Sequence, residues 1–275
     1  MTETPLSDGT GALIRHAAFA SHYVAPRHVD VWLPPGYHEH PERRYPVVYL
    51  HDGQNLFDPA LSNTAIDWGI DEAIAGLMRD TAMPGAIAVG AWCTQLRWAE
   101  YMPARPLRAP EAAALHVGQQ PISDEYLRFL TAELKPFVDA TYRTLPEQPS
   151  TFIMGSSMGG LISLYALTEY PAVFGGAACV STHWPAGGDL LVDQLAARLP
   201  APGQHRLYFD YGTAGLDAAY EPFQLRMDAR LRAAGYTEER DWRTLKFPGA
   251  DHNEAAWRAR ARLPLAWLLY ALALS

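Results

Sequence analysis

Short runs rich in β-branched and aromatic residues alternate along this chain with longer runs whose apolar residues stand three and four apart, an order that few architectures accommodate. The strand-like runs are "ALIRHAAFA", "HVDVWLP", "YPVVYLHDG", "GAIAVGAW", "STFIMGS", "GGAACVSTHW", "HRLYFDYGT" and "DWRTLKFPG". Helical spacing marks "DWGIDEAIAGLMRD", "SDEYLRFLTAELKPFVDATYR", "GGLISLYALTEY", "GDLLVDQLAARL", "YEPFQLRMDARLRAAG" and "NEAAWRARARLPLAWLLYALA". In the second of these, Leu127, Leu130, Leu134, Phe137 and Val138 form one stripe, with Ser123 placed as N-cap and Pro136 as a kink. Two hairpin-like strands followed by strand–helix alternation predict an α/β fold: a mostly parallel, eight-stranded sheet covered by helices on both faces.

The 275 residues, 49% of them hydrophobic, suffice for one domain spanning 1–275. A formal charge of −8 with no basic run argues against nucleic acid or an anionic membrane as partner. "MTETPLSDGTGALIRHAAF" lacks the basic start and apolar core of a secretory signal, so a cytoplasmic location is expected. "LPLAWLLYALAL" is too short to span a bilayer and reads as a buried terminal helix. Cys93 and Cys179, each in or beside a strand, suggest buried free thiols and not a disulfide framework or a zinc site. The Pro-rich stretch Tyr101 to Ser123 is the longest irregular piece, placed either over the C-terminal strand ends as part of a pocket or on the surface as a plain loop.

"TFIMGSSMGG" sets two serines at the junction of a strand and a helix. A sharp strand-to-helix turn strains its central residue and brings the positions two before and two after against neighbouring chain, where only small residues fit. With Ser157 central those positions are Gly155 and Gly159; with Ser156 central they are Met154 and Met158. Ser157 is therefore the candidate nucleophile. A glycine-rich anion-binding turn is the alternative, weakened by the absence of G-x-x-x-x-G-K-[ST].

A serine hydroxyl needs a base, and the base an acid that orients it. On this kind of sheet both come from loops after later strands. Of the histidines beyond Ser157, His205 precedes its strand, His183 follows an earlier one, and His252 lies between the last strand and the last helix, where the base belongs. For the acid, Asp217 stands on the loop after "LYFDYG"; Asp210, within the strand, and Glu221, at the next helix, remain open. The oxyanion requires two preorganised N–H donors. Met158, directly after the nucleophile, supplies one, and Gln54 the other, with Gly53 letting "HDGQ" turn inward. His51 and Asp52 alone do not make a metal ligand set, and no metal or cofactor is expected.

"YLHDGQNLFD", "RWAEYMP", "GSSMGGLISLYAL", "YFDYGT" and "GADHNEAAW" resemble, in order and over nearly the whole chain after about residue 20, the α/β-hydrolases of the esterase family that includes esterase D, feruloyl and acetylxylan esterases, and enterochelin-esterase-like enzymes. The resemblance implies an α/β-hydrolase fold, a triad of Ser157, His252 and an acid, and an oxyanion hole of the Gln54 and Met158 amides. Many relatives carry an acid close behind "GT"; here Ala214 and Gly215 follow, and the next acid is Asp217. Arg97, Glu100 and Tyr101 of "RWAEYMP" order the pocket wall or bind substrate, an Arg97–Glu100 structural pair being the competing reading. Trp92, His183 and Trp184, also placed after strands, are further substrate-binding candidates. Three functions follow: a cofactor-free serine esterase acting on a small-molecule carboxylic ester through an acyl-enzyme, an acyltransferase using the same triad, or a non-catalytic binding protein on the hydrolase scaffold.

Overall fold

The computed structural model describes residues 3–6, 9–81, 83–111 and 118–269. Its strands are β1 (Glu3–Pro5), β2 (Ala12–Phe19), β3 (Arg27–Leu33), β4 (Val47–Leu50), β5 (Ile87–Ala91), β6 (Thr151–Ser156), β7 (Gly176–Val180), β8 (Arg206–Gly212) and β9 (Trp242–Phe247). They form one sheet in the order β1-β2-β3-β5-β4-β6-β7-β8-β9. All eight expected strands are present, and the ninth, β1, is only three residues long, too short to show an alternating pattern. β1, β2 and β3 are joined by short links and pair antiparallel, as does β3 with β5; the pairs from β5 through β9 are parallel.

Parallel neighbours need crossovers, which the helices provide. These are α1 (Ile70–Asp80), α2 (Arg97–Tyr101), α3 (Ser123–Arg128), α4 (Lys135–Thr141), α5 (Met158–Glu169), α6 (Gly188–Ala196), α7 (Glu221–Ala233), α8 (Glu254–Arg258) and α9 (Arg262–Leu269). The period of two along each strand divides the interior into two cores. Val47, Tyr49, Ile153, Ala177, Cys179, Leu207 and Phe209 pack on one face with residues of α3 to α7, whereas Val48, Leu50, Phe152, Met154, Ala178, Val180 and Tyr208 pack on the other with α1 and α9. The strand order reverses around β4, which lies between β5 and β6, and in open α/β sheets ligands bind beyond the carboxyl ends of the strands at such a reversal.

Three helical expectations are modified. The run from Ser123 is helical to Thr141, but Phe129–Leu134 is a π-helical turn in which Lys135 N–H reaches the Leu130 carbonyl. This wider turn lies directly before Pro136, which lacks an N–H and clashes with an α-helical carbonyl four residues back. Ser123 does not cap the helix; its hydroxyl accepts from Ala104 N–H. The terminal helix is broken between α8 and α9, because Pro264 cannot donate to the Arg260 carbonyl and is accommodated only in the first turn of a new helix. Residues 270–275 of that stretch lie outside the described residues. Among the described residues no helix is long and apolar enough to cross a membrane.

Candidate active site

β6 ends at Ser156 and α5 begins at Met158, leaving Ser157 alone on the turn with φ 58° and ψ −122°. Such a geometry costs a non-glycine residue about 1–3 kcal/mol. It is held by Ser157 N–H to the Val180 carbonyl (2.9 Å) and by His183 N–H to the Ser157 carbonyl (3.1 Å). A Cβ at Gly155 would lie 2.8 Å from the Gly159 backbone and 2.9 Å from the His51 ring, and one at Gly159 would lie 3.4 Å from His51 Cβ. The glycine spacing is thus a record of close approach on both sides of the turn.

Asp217 and His252 meet from two loops. Asp217 sits in a 3-10 turn, Gly215–Ala219, that follows β8, and is 1% exposed. Its Oδ1 is 2.6 Å from His252 Nδ1, while Oδ2 accepts from Ser181 Oγ (2.5 Å) and Gly212 N–H (2.7 Å). Burial pushes this carboxyl up, but the hydrogen bonds from His252, Ser181 and Gly212 prevail and hold it below the usual carboxylate range. The His252 ring packs edge-on against Trp257 (5.0 Å) and Tyr220 (5.5 Å), and Asn253 caps α8 immediately behind it by accepting from Ala256 N–H. The other two carboxylates face elsewhere. Asp210 is also 1% exposed, but takes Arg260 (3.1 Å), the Tyr208 hydroxyl (3.0 Å) and Ser181 N–H (3.2 Å). Glu221 pairs with Lys246 on the surface.

Ser157 and His252 share a cavity of about 320 Å³ whose walls also carry Asn55, Asn63, Trp68, Arg97, Glu254 and Trp257. Gln54 belongs to the 3-10 turn Gly53–Asn55 after β4. Its side chain is clamped: Oε1 accepts from Cys93 N–H (3.2 Å) and Nε2 donates to Cys93 Sγ (3.0 Å). The left-handed residue of this loop is Asp52 (φ 55°), not Gly53. Gly53 is required because a Cβ there would lie 2.6 Å from the Gly90 carbonyl oxygen of β5. Met158 opens α5, so its N–H is one of the donors a helix leaves without an internal partner.

Of the five residues expected to bind substrate, Arg97 alone lines this cavity. It binds Asp52 through two hydrogen bonds of 2.7 and 2.8 Å, while Glu100 pairs with Arg27, so the expected Arg97–Glu100 pair is replaced by two others. Trp184 is buried against Phe209 with its N–H on Gln224, Tyr101 is buried beneath Arg97, and Trp92 donates to Asp30. His183 sits at the rear of Ser157, bonded to the Tyr220 hydroxyl. Residues 112–117 of the Pro-rich stretch lie outside the described residues; none of its other residues lines the cavity.

His51 and Asp52 do not converge as ligands. Burial lowers the His51 imidazole to about 3, its Nδ1 meets the Tyr126 hydroxyl, and both Asp52 oxygens face Arg97. Among the described residues the carboxylates of Asp67, Asp71 and Glu72 approach one another within 4.8 Å, but Arg258 bridges Asp67 and Glu72, and burial, with Glu72 beside it, pushes Asp71 to about 7. A guanidinium and a proton thus offset that charge. Ser181 and Tyr220 were not singled out from the sequence. Ser181 is signalled only by following β7, the strand beside β6, and Tyr220 by lying three residues after Asp217, one turn of a 3-10 helix.

A strained serine at the carboxyl edge of a mostly parallel sheet, above an aspartate–histidine pair, defines an α/β-hydrolase. The sequence pattern of the Putative esterase family matches residues 22–262, and the chain belongs to that family. The Bacillus subtilis (strain 168) protein YbbA is 24% identical over 168 residues; the match spans 61% of this chain and 61% of YbbA. Among solved structures, an IroE-like serine hydrolase from Shewanella oneidensis superposes with a TM-score of 0.71 at 19% identity over 93% of this chain and 80% of that one. A ferulic acid esterase does so with a TM-score of 0.68 at 16% identity, over 94% and 97%.

Proposed function

We propose that this chain cleaves a small carboxylic ester through an acyl-enzyme, with Ser157 as nucleophile, His252 as base, Asp217 as the acid that orients it, and the Gln54 and Met158 N–H groups as oxyanion donors. The observation that carries the reading is the 2.6 Å bond from His252 Nδ1 to a fully buried Asp217, in a cavity shared with the strained Ser157. With Nδ1 committed to the carboxylate, Nε2 is the nitrogen left to take the Ser157 proton as Oγ attacks the carbonyl carbon. His252 returns that proton to the departing alcohol. Water then attacks the acyl-enzyme, giving its proton to His252, and Ser157 leaves with it restored. The oxyanion of each tetrahedral intermediate is met by two backbone N–H groups, which need no reorganisation at the moment of reaction.

Polar and aromatic walls formed by Asn55, Asn63, Glu254, Arg97, Trp68 and Trp257 favour an ester carrying hydroxyl or other polar groups over a long alkyl chain. The ferulic acid esterase likeness makes a feruloyl ester one member of the set to try. The net charge of −8 and the two free thiols support a cytoplasmic enzyme with a small-molecule substrate and without nucleic acid or membrane as partner. Turnover should be measured on p-nitrophenyl acetate, longer acyl esters, feruloyl esters and acetylated sugars, with and without EDTA. Hydrolysis that survives chelation is expected. Loss on chelation and recovery with zinc would contradict the backbone-amide electrophile, and acyl transfer to an added sugar alcohol in place of acid release would favour the transferase alternative.

A further inference from the structure

Asp217 is itself held by a residue to which the triad assigns no part. Ser181 stands on the turn after β7, fully buried, with φ 41°. Its Oγ is bonded to Arg260 Nη2 at 2.8 Å, to Trp257 Nε1 at 3.1 Å and to Asp217 Oδ2 at 2.5 Å. It does not line the cavity that holds Ser157 and His252.

The chemistry of these neighbours fixes every hydrogen. A guanidinium and an indole N–H can only donate, so together they occupy both lone pairs of the Ser181 hydroxyl. Its one proton is left for Asp217. Burial pushes that carboxyl up, but the bonds from His252, Ser181 and Gly212 outweigh it, and an ionised carboxylate only accepts. Oδ2 is thereby committed to Ser181 Oγ and to Gly212 N–H (2.7 Å), and Oδ1 is turned to His252 Nδ1 (2.6 Å). Resting on the serine-hydrolase reading above, we propose that Ser181 is a positioning residue for the reaction: its hydroxyl, oriented by Arg260 and Trp257, fixes the rotation of the Asp217 carboxylate and through it the imidazole of His252. The hydroxyl is also a spacer. Arg260 Nη2 lies 4.0 Å from Asp217 Oδ2, beyond hydrogen-bond reach, and 3.1 Å from Asp210 Oδ1, so the buried cation is paired with Asp210. The negative charge of Asp217 remains for the imidazolium that forms on proton transfer. Trp257, whose ring packs at 5.0 Å against that of His252, is tied to the same oxygen, so one hydroxyl sets two of the surfaces that hold the base.

The test is kcat and KM on p-nitrophenyl acetate, read beside melting temperature, for Ser181→Ala and Ser181→Gly, each alone and with Asp217→Asn. Both substitutions remove the hydroxyl, but glycine relieves the positive φ that alanine retains, so the two should differ in melting temperature and agree in rate. Each is expected to lower kcat by about 10- to 10²-fold, the worth of one hydrogen bond to a charged group, with KM within about twofold because Ser181 is outside the cavity. In the Asp217→Asn background the same substitutions should cost less than about twofold, since Ser181 acts through that carboxylate. A folded Ser181→Ala or Ser181→Gly at the parent kcat, a loss carried by KM, rates that follow melting temperature, or additive losses beside Asp217→Asn would each overturn the inference while leaving the esterase reading intact. A parent chain that hydrolyses no ester would overturn that reading, and this inference with it.

Discussion

The sheet carries a cavity of similar size at each end, about 320 Å³ beyond the carboxyl ends of the strands and about 330 Å³ at the opposite ends. Each has a buried carboxylate at its edge. At the amino ends Asp241 accepts from Thr237 N–H and is paired with Arg240, whose hydrogen bond is the main cause of its lowered pKa. That charge is answered by a permanent cation. At the carboxyl ends Asp217 is answered by His252, whose imidazole is not a permanent cation, and on the turns after the neighbouring strands β4, β6 and β7 the residues Asp52, Ser157 and Ser181 all have positive φ. Volume therefore does not distinguish the two ends. What distinguishes them is strain and a titratable partner, both of which cost stability and suit chemistry.

The widest separation between the two ends is expected from Ser157→Ala, which should lower kcat by about 10⁶, to what the oxyanion donors and binding alone supply, while Ser156→Ala costs far less. Steady-state turnover checks this, and reversal of the two effects would move the nucleophile. Asp217→Asn should follow with a loss of about 10⁴ in kcat, since the amide leaves His252 in the wrong tautomer, at little change in melting temperature. Asp210→Asn should do the opposite: it strips a buried Arg260 of its partner, so stability to urea should fall by about 3–5 kcal/mol, with a smaller effect on kcat. An active Asp217→Asn beside a folded, inactive Asp210→Asn would refute the assignment.

Asp71 offers a smaller effect with a definite sign. Burial, with Glu72 beside it, raises its native pKa from the ordinary 3.8 to about 7, so between those limits the native state holds a proton that the unfolded chain has released. Its contribution to stability is therefore present at low pH and is lost as pH rises through that window. Asp71→Asn should flatten the fall in melting temperature between pH 5 and pH 8, checked by calorimetry. At the far end, His205→Ala, whose imidazole Nε2 faces only the Pro171 carbonyl, should leave kcat within about twofold.

The parts of this molecule readable from sequence are those imposed by local sterics and periodicity. Gly155 and Gly159 identify Ser157 because close backbone approach leaves room for nothing else, and alternation along β4 and β6 to β8 assigns each strand's two faces. Features that depend on distant segments were less legible. Arg97 has Glu100 within its own helix, yet pairs with Asp52 on the loop after β4, and nothing near Arg27 in sequence points to Glu100, 73 residues away. Gly53 was assigned its place for the right position and the wrong reason, since the left-handed residue is Asp52. Tyr220 shows only its three-residue spacing from Asp217, which means nothing until the 3-10 turn Gly215–Ala219 is known.

The central claim is that Ser157 is the nucleophile of an esterase built at the carboxyl edge of the sheet. Peptide mapping of the chain after reaction with a fluorophosphonate tests it directly. A single adduct on Ser157, abolished in Ser157→Ala and retained in Ser156→Ala, is expected. An adduct on Ser156, or no adduct in a preparation that still hydrolyses esters, would contradict it.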